Sequence, residues 1–274
     1  MRKLITRVML CITLVPQQSL QAALRLAAIN SFSEAIPWLD RMTPTDDVIV
    51  LDVDETLRLS LLHILNDAER YLAVGWKTTL REKISTHDAT LSSAAITTLT
   101  EQINIGLATP YVTEQAALDF VTLAHARDIP IYVISAATTD ATADYRAMLA
   151  QLGYPLVAKN IHCCGHFISK ANFISELFTT NKQFPVKRLW FFDDQCDFHR
   201  RSFETHADFY TDRGTEELHM ISYNFINNKV TLFNRHGPKR WMAALAEAAI
   251  KITNHHGAWP GSNLLLDELC TLLG

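Results

Sequence analysis

Residues 47–57 read DVIVLDVDETL. Val48 to Val53 form a short, β-branched, nearly unbroken apolar run, the pattern of a central parallel strand buried on both faces. The run closes on three acids, Asp52, Asp54 and Glu55, with Thr56 just behind them. Working outward, 113–128 has helical spacing and leads through Ile129-Pro130 into the apolar stretch IYVIS at 131–135. A helix over 139–152 stops at Gly153, a short segment covers 155–162, and 170–178 predicts another helix. RLWFFDD at 188–194 is a second continuous apolar strand that ends in acids. A later strand is expected near 219–225, with helices at 239–252 and 264–273.

Strands alternating with helices predict an α/β fold, a doubly wound, Rossmann-like parallel sheet with helices on both faces. Upstream, Leu26, Ile29, Phe32, Ile36 and Leu39 fall near helical spacing, so 24–39 is expected to be an amphipathic helix. Residues 59–110 carry apolar groups at helical spacing, among them Leu61, Ile64, Ala68, Tyr71 and Leu72, and show no strand signal. They form a small helical insertion after the first strand, leaving 23–58 and 111–274 as the core.

The 274 residues are 48% apolar and 20% charged, with 25 Lys and Arg against 29 Asp and Glu, a net charge of −4. This is the make-up of a folded globular chain with a sizeable core. Without basic runs it has no electrostatic footprint for nucleic acid, which is not expected as a partner. No run of about 18 apolar residues predicts a stable membrane span. Residues 1–22 have Arg2, Lys3 and Arg7, then the apolar stretch from Val8 to Val15, then a polar, small-residue exit. That layout predicts a signal peptide cut after Ala22 and export to a periplasm or beyond the cell. The other reading of the segment is a buried N-terminal helix or strand. Without Cys11, Cys163, Cys164, Cys196 and Cys270 remain; their spacing matches no zinc signature, an oxidising compartment leaves one bridge open without choosing its members, and buried thiols are expected for most of them.

In a parallel α/β sheet, ligands bind beyond the carboxyl ends of the strands. Here two strands end in clustered acids, Asp52 and Asp54 at one and Asp193 and Asp194 at the other. Clustered buried carboxylates repel one another unless a cation sits among them. Oxygen donors without His or Cys favour a hard ion such as Mg²⁺. Helix capping would account for one acid per helix, but not for acid pairs at two strand ends.

These residues resemble the haloacid dehalogenase-like superfamily. DVDET matches its D-x-D-x-T signature, and Ser135 closing IYVIS matches the second. Lys170, 23 residues before Asp193, matches the third, and Asp193-Asp194 the fourth. The four lie in order within 48–197, and the chain also resembles the secreted acid-phosphatase-like branch and exported proteins of intracellular bacteria. The resemblance implies a phosphomonoester substrate and a Mg²⁺ held by Asp52, the Asp54 carbonyl and the Asp193-Asp194 pair. Asp52 would attack phosphorus to give an aspartyl-phosphate. Asp54 would be the general acid and base, Ser135 a donor to the phosphoryl oxygens, and Lys170 the balancing cation. Residues 59–110 would be a cap over the mouth.

Two departures stand out. Ser135 is followed by Ala136-Ala137, where such phosphatases often carry Gly-Arg or Asn-Arg, and Asp197 lies three residues after Asp194. The second leaves open whether Asp194 or Asp193 is the direct ligand; the hydrophobic strand aligns better with Asp194. Asp197 either supports the metal or caps the next helix, and Lys159 is the other lysine available for the third signature. Two function classes follow. One is a Mg²⁺-dependent phosphatase; the other is a catalytically inactive binding or interaction protein on the same fold.

Overall fold

Val48 and Val50 leave their strand on one side, Ile49 and Leu51 on the other, and each pair enters a separate apolar core. A sheet covered on both faces follows directly from that alternation. The computed structural model describes residues 22–59, 76–108, 110–165, 170–180 and 186–225, together with Ala244, Glu247, Ala248 and Lys251. Its strands are β1 (Ala23–Ile29), β2 (Asp47–Leu51), β3 (Arg58–Leu59), β4 (Tyr111–Val112), β5 (Ile131–Ser135), β6 (Ile161–Cys163), β7 (Arg188–Asp193) and β8 (Glu217–Tyr223). The α-helices are α1 (Trp76–His87), α2 (Ser93–Ala108), α3 (Gln115–Ala126), α4 (Thr142–Gln151), α5 (Lys170–Thr180), α6 (Cys196–Thr205) and α7 (Ala207–Asp212).

Six strands form one sheet in the order β1-β8-β7-β2-β5-β6, and every pairing is parallel. On one face, Phe120 and Val121 of α3 and Leu149 of α4 pack with Phe32 and Leu39. On the other, Ala171 and Ile174 of α5 pack with Phe203 of α6 and Tyr210 of α7. From β2 the chain winds outward through β5 and β6 on one side, then through β7 and β8 on the other. The direction of winding reverses at β2, so the crevice at its carboxyl end opens between loops that diverge.

The stretch expected as one helix over 24–39 is instead strand β1 followed by two short 3₁₀ turns, Phe32–Glu34 and Ile36–Arg41. Pairing with β8 across nearly two hundred residues draws Ala23–Ile29 into the sheet. Ile29, Phe32 and Leu39 are buried, as their spacing suggests, but from three different local structures. Phe32 sits within 5.5 Å, ring centre to ring centre, of Phe120, Phe192 and Tyr223.

The segment over 59–110 begins and ends on a two-stranded antiparallel ladder, with Arg58 opposite Val112 and Leu59 opposite Tyr111. Two residues a side leave no alternation for a sequence to show. Between these strands, the described residues form α1 and α2, with an Arg81–Glu101 contact of 3.7 Å. Residues 1–21, which carry the leader reading, and 264–273 lie outside the described residues. So does most of 239–252, of which Ala244, Glu247, Ala248 and Lys251 are helical. No helix among the described residues is long and apolar enough to cross a membrane.

At the opposite end of β2 from the acids, Asp47 is fully buried. Arg188 donates to both of its oxygens, at 2.7 and 2.6 Å, and Trp190 Nε1 and the Thr43 N–H each donate at 2.7 Å. Asp47 and Arg188 are also register partners. A parallel pair slipped by one residue would leave this carboxylate buried without its cation, so the ion pair locks β2 against β7. Replacing Asp47 by Ala removes four charge-assisted bonds and leaves donors unpaired. We expect a loss of about 2–3 kcal/mol in urea unfolding, with Arg188 partly screened by solvent.

Candidate active site

The chain beyond β2 cannot continue as a strand, because it wraps around a single carbonyl. The oxygen of Val53 accepts from the N–H groups of Thr56, Leu57 and Arg58 at 3.3, 2.9 and 2.9 Å, while Glu55 N–H reaches back to the Arg58 carbonyl at 2.8 Å. Glu55 takes a left-handed conformation, φ 64°, to make this turn, a cost that is commonly found at functional sites. The described residues 53–59 form a turn and a short strand rather than a helix, so capping of an adjoining helix does not explain these acids. The turn aims Asp52 and Asp54 to different sides and carries Arg58 back beside Asp54.

Asp52 extends the β2–β7 ladder, its N–H bonded to the Phe192 carbonyl at 2.9 Å. That register sets it next to Asp193 and Asp194. Oxygens of these three buried carboxylates lie within 4.8 Å of one another. Lys170, at the start of α5, reaches in beneath them and donates to Asp52 Oδ1 at 2.6 Å and Asp193 Oδ2 at 2.7 Å. Only 5% of Lys170 is exposed. Burial works against its charge, but the two carboxylates outweigh that and raise its pKa above the ordinary lysine value.

Three carboxylates around one ammonium leave an excess of two negative charges when all are ionised. His199, 3.6 Å from Asp193 Oδ2, does not offset it, because burial pushes its pKa down despite Asp193. Burial raises Asp52 well above the carboxylate range; Lys170 opposes the shift, and Asp193 and Asp194 add to it. Asp194 is pushed up to about 8 by burial, then by Asp193 and Glu55, and it shares a hydrogen bond with Asp52. Such a cluster holds a proton or a cation. Hard oxygen donors and an excess charge of two fit a divalent ion such as Mg²⁺, with Asp52, Asp193 and Asp194 as its holders.

Asp54 stands outside this triad. Its Oδ1 accepts from Arg58 Nε at 2.6 Å and from Arg58 Nη2. Its Oδ2 accepts from Tyr145 OH at 2.9 Å and Ser135 Oγ at 3.2 Å. Ser135, buried at the end of β5, accepts in turn from the Ala137 N–H at 3.1 Å. Asp193 also accepts from the Gln195 N–H at 2.7 Å, which shapes the turn into α6. Asp197 is exposed in the first turn of α6, and Lys159 is exposed on a 3₁₀ turn; neither joins the cluster. His162 packs on Phe173, and Cys163, Cys164 and Cys196 are buried and form no disulfide.

Arg58 and Tyr145 are the members that sequence reading passes over. Neither residue lies in a motif, so the sequence offers no signal for them; Ser135 is followed by Ala136-Ala137.

No family model matches the chain, and no curated protein matches it. Among solved structures it is similar to the class C acid phosphatase from Bacillus anthracis. That likeness has 16% identity, covers 82% of this chain and 86% of that one, and has a TM-score of 0.40. With the structure of the Bacillus anthracis class C acid phosphatase with tungstate bound, it has 14% identity, covers 88% of this chain and 85% of that one, and has a TM-score of 0.37.

The raised Asp194 sets a direction for pH. Its folded form keeps a proton that the unfolded chain releases near pH 4, so its stabilising contribution is lost as pH rises towards about 8. A divalent ion requires the ionised carboxylate, so its binding tightens over the same rise. We expect the metal-free Tm to fall from pH 5 to pH 8, and the gain in Tm from added Mg²⁺ to grow. In Asp194→Asn both trends flatten, as thermal unfolding in chelator and in Mg²⁺ would record.

Proposed function

We propose that the chain is an exported, Mg²⁺-dependent phosphomonoester hydrolase that works through an aspartyl-phosphate on Asp52. The observation that carries this reading is the burial of Asp52 with Lys170, Asp193 and Asp194 at adjacent strand ends, one loop turn from Asp54 and Ser135. A lone carboxylate repels a phosphate dianion. Bound Mg²⁺ supplies positive charge that screens this repulsion and stabilises the transferring phosphoryl group.

Asp52 attacks phosphorus, forming an acyl-phosphate bond as the ester P–O bond breaks. Asp54 delivers the proton to the leaving oxygen, then takes one from the water that cleaves the acyl-phosphate and frees inorganic phosphate. Lys170 holds Asp52 in place and offsets its charge, and Ser135 donates to a phosphoryl oxygen. Residues 59–110, entered and left through the β3–β4 ladder, act as a cap that selects among phosphomonoesters.

Hydrolysis of an aryl phosphate tests the reaction. Turnover should require Mg²⁺, vanish in chelator and fall to background in Asp52→Asn, while Ser135→Ala lowers kcat by about 10²-fold. A folded chain that binds Mg²⁺ yet hydrolyses nothing across a broad phosphomonoester panel would favour the binding-protein alternative. For export, a cut after Ala22 would leave β1 whole from its first residue. N-terminal sequencing of the exported chain is expected to begin at Ala23; a retained leader would overturn that part.

A further inference from the structure

Lys170 commits two of its three donors, at 2.6 and 2.7 Å, to two carboxylates in a buried site. The loop after Ser135 supplies small residues and no cation. Arg58 is the cation bonded to Asp54, the same carboxylate that takes the Ser135 hydroxyl. Asp54 takes its Nε and Nη2 on one oxygen and Ser135 Oγ on the other, so the guanidinium and the Ser135 hydroxyl are separated by a single carboxylate.

A guanidinium has five N–H donors. Besides Asp54, those of Arg58 meet Tyr145 OH at 3.0 Å and, from Nη1, only the Met148 thioether at 3.5 Å. A thioether sulfur is a weak acceptor, so the Nη1 edge lacks an oxygen partner among the described residues. The Tyr145 ring, 4.9 Å from Arg58 Cζ, steadies the guanidinium by cation–π attraction. About a fifth of the Arg58 side chain and more than a quarter of Asp54's are open to solvent. The result is a guanidinium fixed by Asp54 and Tyr145, with an Nη1 donor that meets only a thioether among the described residues.

We propose that Arg58 is the phosphate-recognising cation of this site: its Nη1 edge takes a non-bridging oxygen of the substrate phosphoryl group, with Tyr145 holding its plane. It thereby replaces the arginine that is absent after Ser135. The fork geometry suits a tetrahedral dianion better than a point charge would. The identity of the anion rests on the phosphatase reading above; the anion site itself does not.

Calorimetric titration of the full chain with inorganic phosphate in Mg²⁺, at fixed pH and salt, reads the assignment without turnover. Arg58→Met should weaken phosphate binding by about 10- to 100-fold, with Arg58→Lys in between because it keeps charge but loses the fork. Tyr145→Phe should weaken it less. Asp54→Asn should tighten binding, since it releases the guanidinium, and this gain should shrink when Arg58→Met is added. If Arg58 served only to anchor the loop, the Asp54→Asn gain would be the same in both backgrounds, and that result overturns the proposal. So does Arg58→Met binding phosphate as the parent does, or a parent that binds none.

Thermal unfolding checks that each variant is folded. Should Arg58→Met fail to fold, Arg58→Lys and the Asp54→Asn/Arg58→Met double variant, which strands no charge, carry the comparison. A chain that binds phosphate through Arg58 but hydrolyses no ester would sink the phosphatase reading and keep this one. Hydrolysis with undiminished phosphate affinity in Arg58→Met would do the reverse.

Discussion

One buried ammonium group makes the rest of this site possible. Asp52, Asp193 and Asp194 are nearly free of solvent, and desolvating three like charges together would cost several kcal/mol each in an apolar interior. Lys170 meets two of them directly, and the shared hydrogen bond between Asp52 and Asp194 relieves the third. Neither device cancels the excess charge. The excess charge that makes the cluster costly is also what a divalent cation would neutralise, and the three carboxylates lie close enough together to hold one.

The acids reach one point because of how β2 is held at its other end. The Asp47–Arg188 pair fixes the register between β2 and β7, and five residues later that register delivers Asp52 opposite the Phe192–Asp193 end. Between the two charged ends, β2 is wholly apolar and packs into both cores. A strand buried on both faces has no polar alternation to set its pairing, so a charge pair at its start is an effective lock. Stability and site geometry thus share one strand.

The wrap around the Val53 carbonyl divides the site into two electrostatic halves. On one side lie the carboxylates with Lys170; on the other Asp54 is surrounded by Arg58, Tyr145 and Ser135. Two acids two residues apart thereby acquire unlike surroundings, the arrangement by which one pair of carboxylates can take separate roles.

The buried strands at 131–135 and 188–193, the acids at their ends and Lys170 at a helix start are legible in the sequence, because each is written in contiguous residues. A doubly wound sheet follows from the same alternation. Other features depend on residues far apart in the chain. Ala23–Ile29 reads as part of a helix until β8, nearly two hundred residues later, offers it a parallel partner. Arg58 and Tyr145 carry no motif, and they meet Asp54 only because a left-handed Glu55 folds the loop back and β5 brings α4 alongside it. The sequence by itself placed Asp52, Ser135, Asp193 and Asp194 at the ends of apolar strands and Lys170 at a helix start. The tertiary structure alone decided which charges are buried together and which are paired apart, because burial and pairing depend on the distances between side chains that only the packed sheet sets.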